Sequence, residues 1–176
     1  APRAAPGLTS SVAFAVGVRP DCLEQERDST PETAQPVPFP VVVNGRIDKP
    51  DAVDLFRFRA EPGIRIVAEV RARRLGSPLD SLLRLTAADG AELGANDDFD
   101  DRAAGLTTHH ADSRLSVTVP EDGLVNVALS DTQQRGGRDF AYRLHLDRQK
   151  PGFDLRVVPS SINVRAGTTM PLTVHA

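Results

Sequence analysis

Short runs in which apolar and polar residues alternate with a period of two, each closed by a turn signal, fill the middle of this chain and limit what it can become. Phe56, Phe58 and Ala60 share one face, with Leu55, Arg57 and Arg59 on the other. Ile64, Ile66, Ala68 and Val70 repeat the pattern against Arg65, Glu69 and Arg71. Leu83 with Leu85, Leu115 with Val117 and Val119, and Val125 with Val127 and Leu129 continue it. The last such run sets Phe140, Tyr142, Leu144 and Leu146 against Arg143, His145 and Asp147. Turn signals stand between the runs at Glu61-Pro62-Gly63, Asp89-Gly90, Pro120-Glu121-Asp122-Gly123 and Arg135-Gly136-Gly137. A strand with one wet face must bury the other. Seven or eight of them predict an all-β, antiparallel β-sandwich of jelly-roll type, its two inner faces meeting in one core. Fourteen prolines, thirteen glycines and no tryptophan agree with many short strands and turns, and an apolar content of 40% is enough for a real core.

The flanks read differently. Residues 11 to 18, SVAFAVGV, predict one short apolar strand, and the stretch from Arg19 to Pro40 is proline-rich, acidic and linker-like. After Lys150-Pro151-Gly152, two further strands are expected around a Pro159-Ser160-Ser161 turn and an Ala166-Gly167 turn. Two strands cannot bury their own apolar face. The chain therefore divides into residues 1 to 21 as the end of a preceding module or linker, residues 22 to 150 as the sandwich, and residues 151 to 176 as the start of another domain. The alternative is that the end strands pair with the central sandwich. The single cysteine, Cys22, excludes an internal disulfide framework and a four-cysteine zinc site. Net charge is near −3 with the signs well mixed, which disfavours nucleic acid and polybasic membrane binding. No stretch approaches the roughly 18 apolar residues of a bilayer span, and any export signal would lie upstream.

A set of short motifs stands in order along the central part. They are Glu24-Gln25-Glu26-Arg27-Asp28-Ser29, similar to an E-x-E-P-N-[ND] opening, then Val43-Asn44-Gly45-Arg46-Ile47, then Asp51-Ala52-Val53-Asp54-Leu55-Phe56-Arg57-Phe58, similar to D-x-x-D-x-[YF]-x-F. Ser77-Pro78-Leu79-Asp80 follows, with Leu83, Leu85 and Gly90, then Asn96-Asp97-Asp98, then Gly123-Leu124-Val125-Asn126-Val127 and a last strand ending Tyr142-Arg143-Leu144. Together these make residues 22 to 148 resemble the bacterial pre-peptidase C-terminal domain family, β-sandwich modules appended to secreted peptidases and other large extracellular proteins. The tail from residue 151 resembles the first strands of an immunoglobulin-like domain.

The resemblance implies a calcium site between the opening segment and the D-x-x-D loop, as in relatives of the clostridial collagen-binding domains, and so assigns Glu24, Glu26, Asp28, Asp51 and Asp54 as its ligands. The residues permit it. In an extended chain Glu24, Glu26 and Asp28 project from one face, and Asp51 and Asp54 can converge on them from a loop. Calcium takes six to eight oxygens at roughly 2.3 to 2.6 Å, which five carboxylates with carbonyls or water supply. The chain also departs from the pattern: Arg27 stands in place of proline, Asp28 of asparagine, and Ser29 of a stronger oxygen ligand. The other reading of the strip is a solvated acidic linker. A second acidic set, Asp97, Asp98, Asp100 and Asp101 with Asp80, reads either as a cation site or as turn chemistry, and it lacks the EF-hand spacing.

No G-x-S-x-G elbow, H-E-x-x-H helix or Cys-His pattern is present, so no catalytic residue is expected. Adjacent His109 and His110 point to opposite sides of an extended segment, and Arg71, Arg73 and Arg74 read as a solvent face. Two function classes remain. One is an accessory, structural or anchoring module of a larger exported protein, stabilised by calcium, with neighbouring domains of the same chain as partners. The other is a ligand-binding module for a polysaccharide or fibrous protein, attached to a secreted hydrolase. The lack of tryptophan removes the usual stacking platform for sugars.

Overall fold

The computed structural model describes residues 15–25, 30, 33–101, 108–150, 156–158 and 163–175. Two five-stranded sheets form the body. Sheet A has the order β1 (Asp21–Leu23), β3 (Val41–Arg46), β12 (Ala141–Arg148), β5 (Arg65–Arg71), β10 (Arg114–Thr118). Sheet B has the order β2 (Gln35–Pro36), β4 (Val53–Arg59), β11 (Leu124–Asp131), β6 (Ser81–Thr86), β7 (Glu92–Asn96). Pairing is antiparallel except at one edge of each sheet, where β1 runs parallel to β3 and β2 parallel to β4. Phe56 and Phe58 of β4, Ile66, Ala68 and Val70 of β5, Leu83 and Leu85 of β6, Val125, Val127 and Leu129 of β11, and Leu144 and Leu146 of β12 meet in one buried core. The fold is thus the all-β sandwich that the alternation predicts, because a period of two puts one whole set of side chains on the inner face.

The proline-rich stretch from Arg19 to Pro40 does more than link. Its described residues supply the two parallel edge strands and bury Gln35 and Val37. Two-residue and three-residue strands fall below what periodicity can detect. Residues 15 to 18 carry no strand, and residues 11 to 14 of the expected first strand lie outside the described residues. The acidic stretch after β7 is not all loop: Phe99–Asp101 forms β8, paired with β9 (Thr108–His110). In the tail, β13 (Arg156–Val158) pairs antiparallel with β14 (Thr173–His175).

Candidate functional site

Asp54 falls in step with Phe56 and Phe58 on β4, so a carboxyl stands on the core side of sheet B. Tyr142 does the same from β12 of sheet A. Its hydroxyl donates to Asp54 Oδ2 at 2.6 Å, which ties the two sheets together at one end of the sandwich. Opposite Tyr142 in the register is Gly45 of β3. A Cβ there would collide with the tyrosine hydroxyl and ring carbon and stand 2.9 Å from Glu24 Cβ, so the bare position is the channel through which the phenol reaches Asp54.

Glu24 reaches the same place from the residue after β1. Its backbone N–H donates to the Asn44 carbonyl at 2.9 Å. The buried amide of Gln35 fixes its neighbours, accepting from the Gln25 N–H at 2.7 Å and donating to the Leu23 carbonyl at 3.0 Å. The Glu24 carboxylate accepts the Arg46 N–H at 3.3 Å. Asp48, just beyond β3, completes the group and is paired with the Arg46 guanidinium.

Burial pushes the Asp54 carboxyl up to about 7, against the pull of the Tyr142 hydroxyl, and the charges of Glu24 and Asp48 raise it further. Burial likewise raises Glu24, with Asp48 adding to the rise and Arg46 opposing it. Tyr142 is held well above the ordinary phenol range, first by burial and then by Asp54. Two carboxyls, Glu24 and Asp54, are therefore raised beside a phenol in a half-dry corner. Such a group binds a proton or a cation more readily than it stays fully ionised.

Of the residues expected as calcium ligands, Glu24 and Asp54 are brought together here. Asp51 is exposed in the turn before β4 at φ 62°, its N–H donating to the Gln134 carbonyl. Glu26 and Asp28 lie outside the described residues. Among the described residues no three His, Cys, Asp or Glu side chains are arranged to hold a metal by themselves. The sequence reading missed Asp48 and the positioning amide of Gln35. The three-residue repeat Asp48, Asp51, Asp54 was the available signal for the first; nothing in the sequence marks the second.

Around the other acidic set, the turn bonds are made by Asn96. Asn96 accepts the Arg114 N–H at 2.8 Å and donates to the Asp98 carbonyl at 2.8 Å, and Asp80 Oδ2 accepts from Gln133. Asp100 and Asp101 belong to β8, and His109 and His110 occupy successive positions of β9. Two buried acids elsewhere are structural. Asp112 accepts the backbone N–H groups of Ala72, Arg73 and Arg74 and the Arg74 guanidinium. Asp131 accepts the N–H groups of Asp80, Gln133 and Arg135 and the Arg135 side chain. Burial works against its charge, but these donors outweigh it and hold Asp131 below the usual carboxylate range.

Beside Glu24 and Tyr142 an open groove of about 710 Å³ crosses the outer face of sheet A. Its floor is the start of β12, and its walls are Leu23 with Glu24 on one side and the turn from Leu75 to Ser77 with Arg138 and Asp139 on the other. Arg71, half-exposed on β5, and Arg143 on β12 both line it and stand directly opposite in register; of the three arginines read as a plain solvent face, Arg71 lines this groove, while Arg74 is held by Asp112 and Glu69.

A solved structure similar to this chain is the crystal structure of the pre-peptidase C-terminal domain of collagenase from Bacillus anthracis, with 14% sequence identity and a TM-score of 0.46 over 68% of this chain and all of that one. No family model and no curated protein matches the chain.

Proposed function

We propose that this chain is a non-catalytic accessory module of a larger exported protein, its N-terminal segment fastened to the sandwich by calcium. Glu24 and Asp54 would hold the ion with Asp48 beside them, and Glu26 and Asp28 of the same segment would complete its ligands; Asp51, exposed in the turn before β4, is left out of the set. The observation that carries the reading is the half-buried Asp54, bonded to Tyr142 and raised by burial and by the charges of Glu24 and Asp48, where the segment after β1 meets both sheets. An all-carboxylate, oxygen-only donor set suits a hard cation and not a soft metal. When bound, the ion would supply positive charge beside Glu24 and Asp54, whose proton affinity burial and the neighbouring acids raise. Gln35 and the Asn44 carbonyl hold Glu24 in place without it. Val164, Met170, Leu172 and Val174 are exposed in the tail, which supports reading residues 151 to 176 as the first strands of an immunoglobulin-like domain rather than part of this core.

Thermal melts with calcium and with chelator test the reading. Calcium at a hundred times its Kd should stabilise the fold by roughly 2.7 kcal/mol, and the gain should vanish in Asp54→Asn. An unchanged melting midpoint in the wild type would remove the calcium part of the proposal.

A further inference from the structure

The groove on sheet A holds an arginine pair in direct register. Arg143 and Arg71 face each other directly on antiparallel strands, an arrangement in which like charges repel. The Nε atoms of both are shut off from solvent and have no hydrogen-bond partner. Arg143 is partly answered by Asp21 at 2.9 Å. For Arg71 the nearest acid, Glu69, stands at 3.7 Å, within ion-pair reach but beyond a hydrogen bond, and Glu69 already receives Arg74 at 2.8 Å. Arg138, on the opposite wall, has no ion pair among the described residues. Arg46 completes a lining of four arginines against two acids, Glu24 and Asp139, on a chain whose net charge is −3. Positive charge has been gathered here against the average of the molecule.

We propose that this groove is a binding site for the carboxylates of an acidic polysaccharide, with Arg71 and Arg138 as its anchoring residues. Guanidinium groups match carboxylates in planar, two-point contact, and the Arg71 and Arg138 side chains reach solvent where a carboxylate can meet them. The rest of the groove decides which carboxylate-bearing polymer fits. Its floor is β12, an interior strand flanked by β3 and β5, so no free backbone edge is available to an extended peptide. Neutral sugars bind by stacking on aromatic faces, and the one tyrosine of the chain is buried with its hydroxyl bonded to Asp54. Charge is what remains to recognise a glycan, and uronate units carry it. The inference stands on the arginines alone and holds whether or not calcium binds beside it.

Calorimetric titration of the full chain with an oligogalacturonide at low salt, in chelator, tests this. Saturable binding is expected, weakening at high salt and falling about tenfold or more in Arg71→Ala and in Arg138→Ala. Arg71→Lys keeps the charge but loses the fork, so it should restore only part of the affinity. Arg84→Ala, on the outer face of sheet B and paired with Glu92, should bind as the wild type does. Each variant is melted alongside, so that loss of binding in a folded protein is what is read. No binding of the oligogalacturonide would overturn the proposal. So would equal or tighter binding of poly-glutamate, or affinity unmoved by both alanine variants.

Discussion

Single buried acids govern this fold in two opposite ways, and the difference lies in what donates to them. Asp112 is 1% exposed and remains comfortable because three backbone N–H groups and one guanidinium converge on it. Removing it orphans those donors at the turn from Ala72 to Leu75. Asp112→Ala should therefore cost about 3 kcal/mol in urea denaturation, and Asp112→Asn, which keeps one acceptor oxygen, less. Asp89→Ala removes only an exposed acceptor for the Ala91 N–H and should cost a few tenths of a kcal/mol. A loss at Asp112 no larger than at Asp89 would show that the convergence is ornamental. None of this was legible in the sequence, where Asp112 is one of many aspartates in polar surroundings. Its partners lie some forty residues away in the turn after β5, and local pattern cannot report a contact set by the packing of sheets. Asp54 was legible as a member of a motif but was expected on a loop; the structure places it on β4, in step with Phe56 and Phe58.

Strand elements were readable in proportion to their length. β4, β5, β11 and β12 run seven or eight residues, enough for the period of two to repeat, and their inner residues are the ones expected. β1 and β2 are three and two residues long, and they pair parallel at sheet edges where one hydrogen-bonding side is free. They were read as linker for that reason. The same edge explains the glycine in β3. Gly45 lies under the Tyr142 ring, and its Cβ would have no room. Gly45→Ala should cost about 2 kcal/mol by overpacking. In a Tyr142→Leu background, where the phenol no longer crosses the strand, the same change should cost clearly less, a double-mutant cycle with a coupling of about 1 kcal/mol. Additive costs would show that the glycine serves β3 itself and not the passage of the tyrosine.

At the scale of the whole molecule, the acids around Tyr142 should write themselves into the pH dependence of stability. Asp54 is raised from 3.8 to about 7 by burial and by its acidic neighbours, so the folded chain holds this proton more tightly than the unfolded one. Stability from Asp54 is then fully present below about pH 4 and is lost progressively as the pH rises through 7, flattening above. The span of about three units corresponds to about 4 kcal/mol at most. Glu24, also raised by burial, adds loss of the same sign. Asp131 acts oppositely: held low by its donors, it gives stability that fades as the pH falls below the ordinary carboxylate range. The informative window therefore lies between about pH 4 and 8. In chelator across that window the wild type should become less stable with rising pH. Asp54→Asn keeps an acceptor for the Tyr142 hydroxyl while removing the charge, so it should show a much flatter profile, exceed the wild type near pH 8, and gain nothing near pH 4. Calcium should flatten the wild-type profile in the same way, since positive charge in the cluster relieves the repulsion that the proton otherwise relieves. Parallel profiles for the two proteins would place the penalty elsewhere, and the corner of the sandwich where the two sheets and the N-terminal segment meet would then be an ordinary hydrogen-bonded joint.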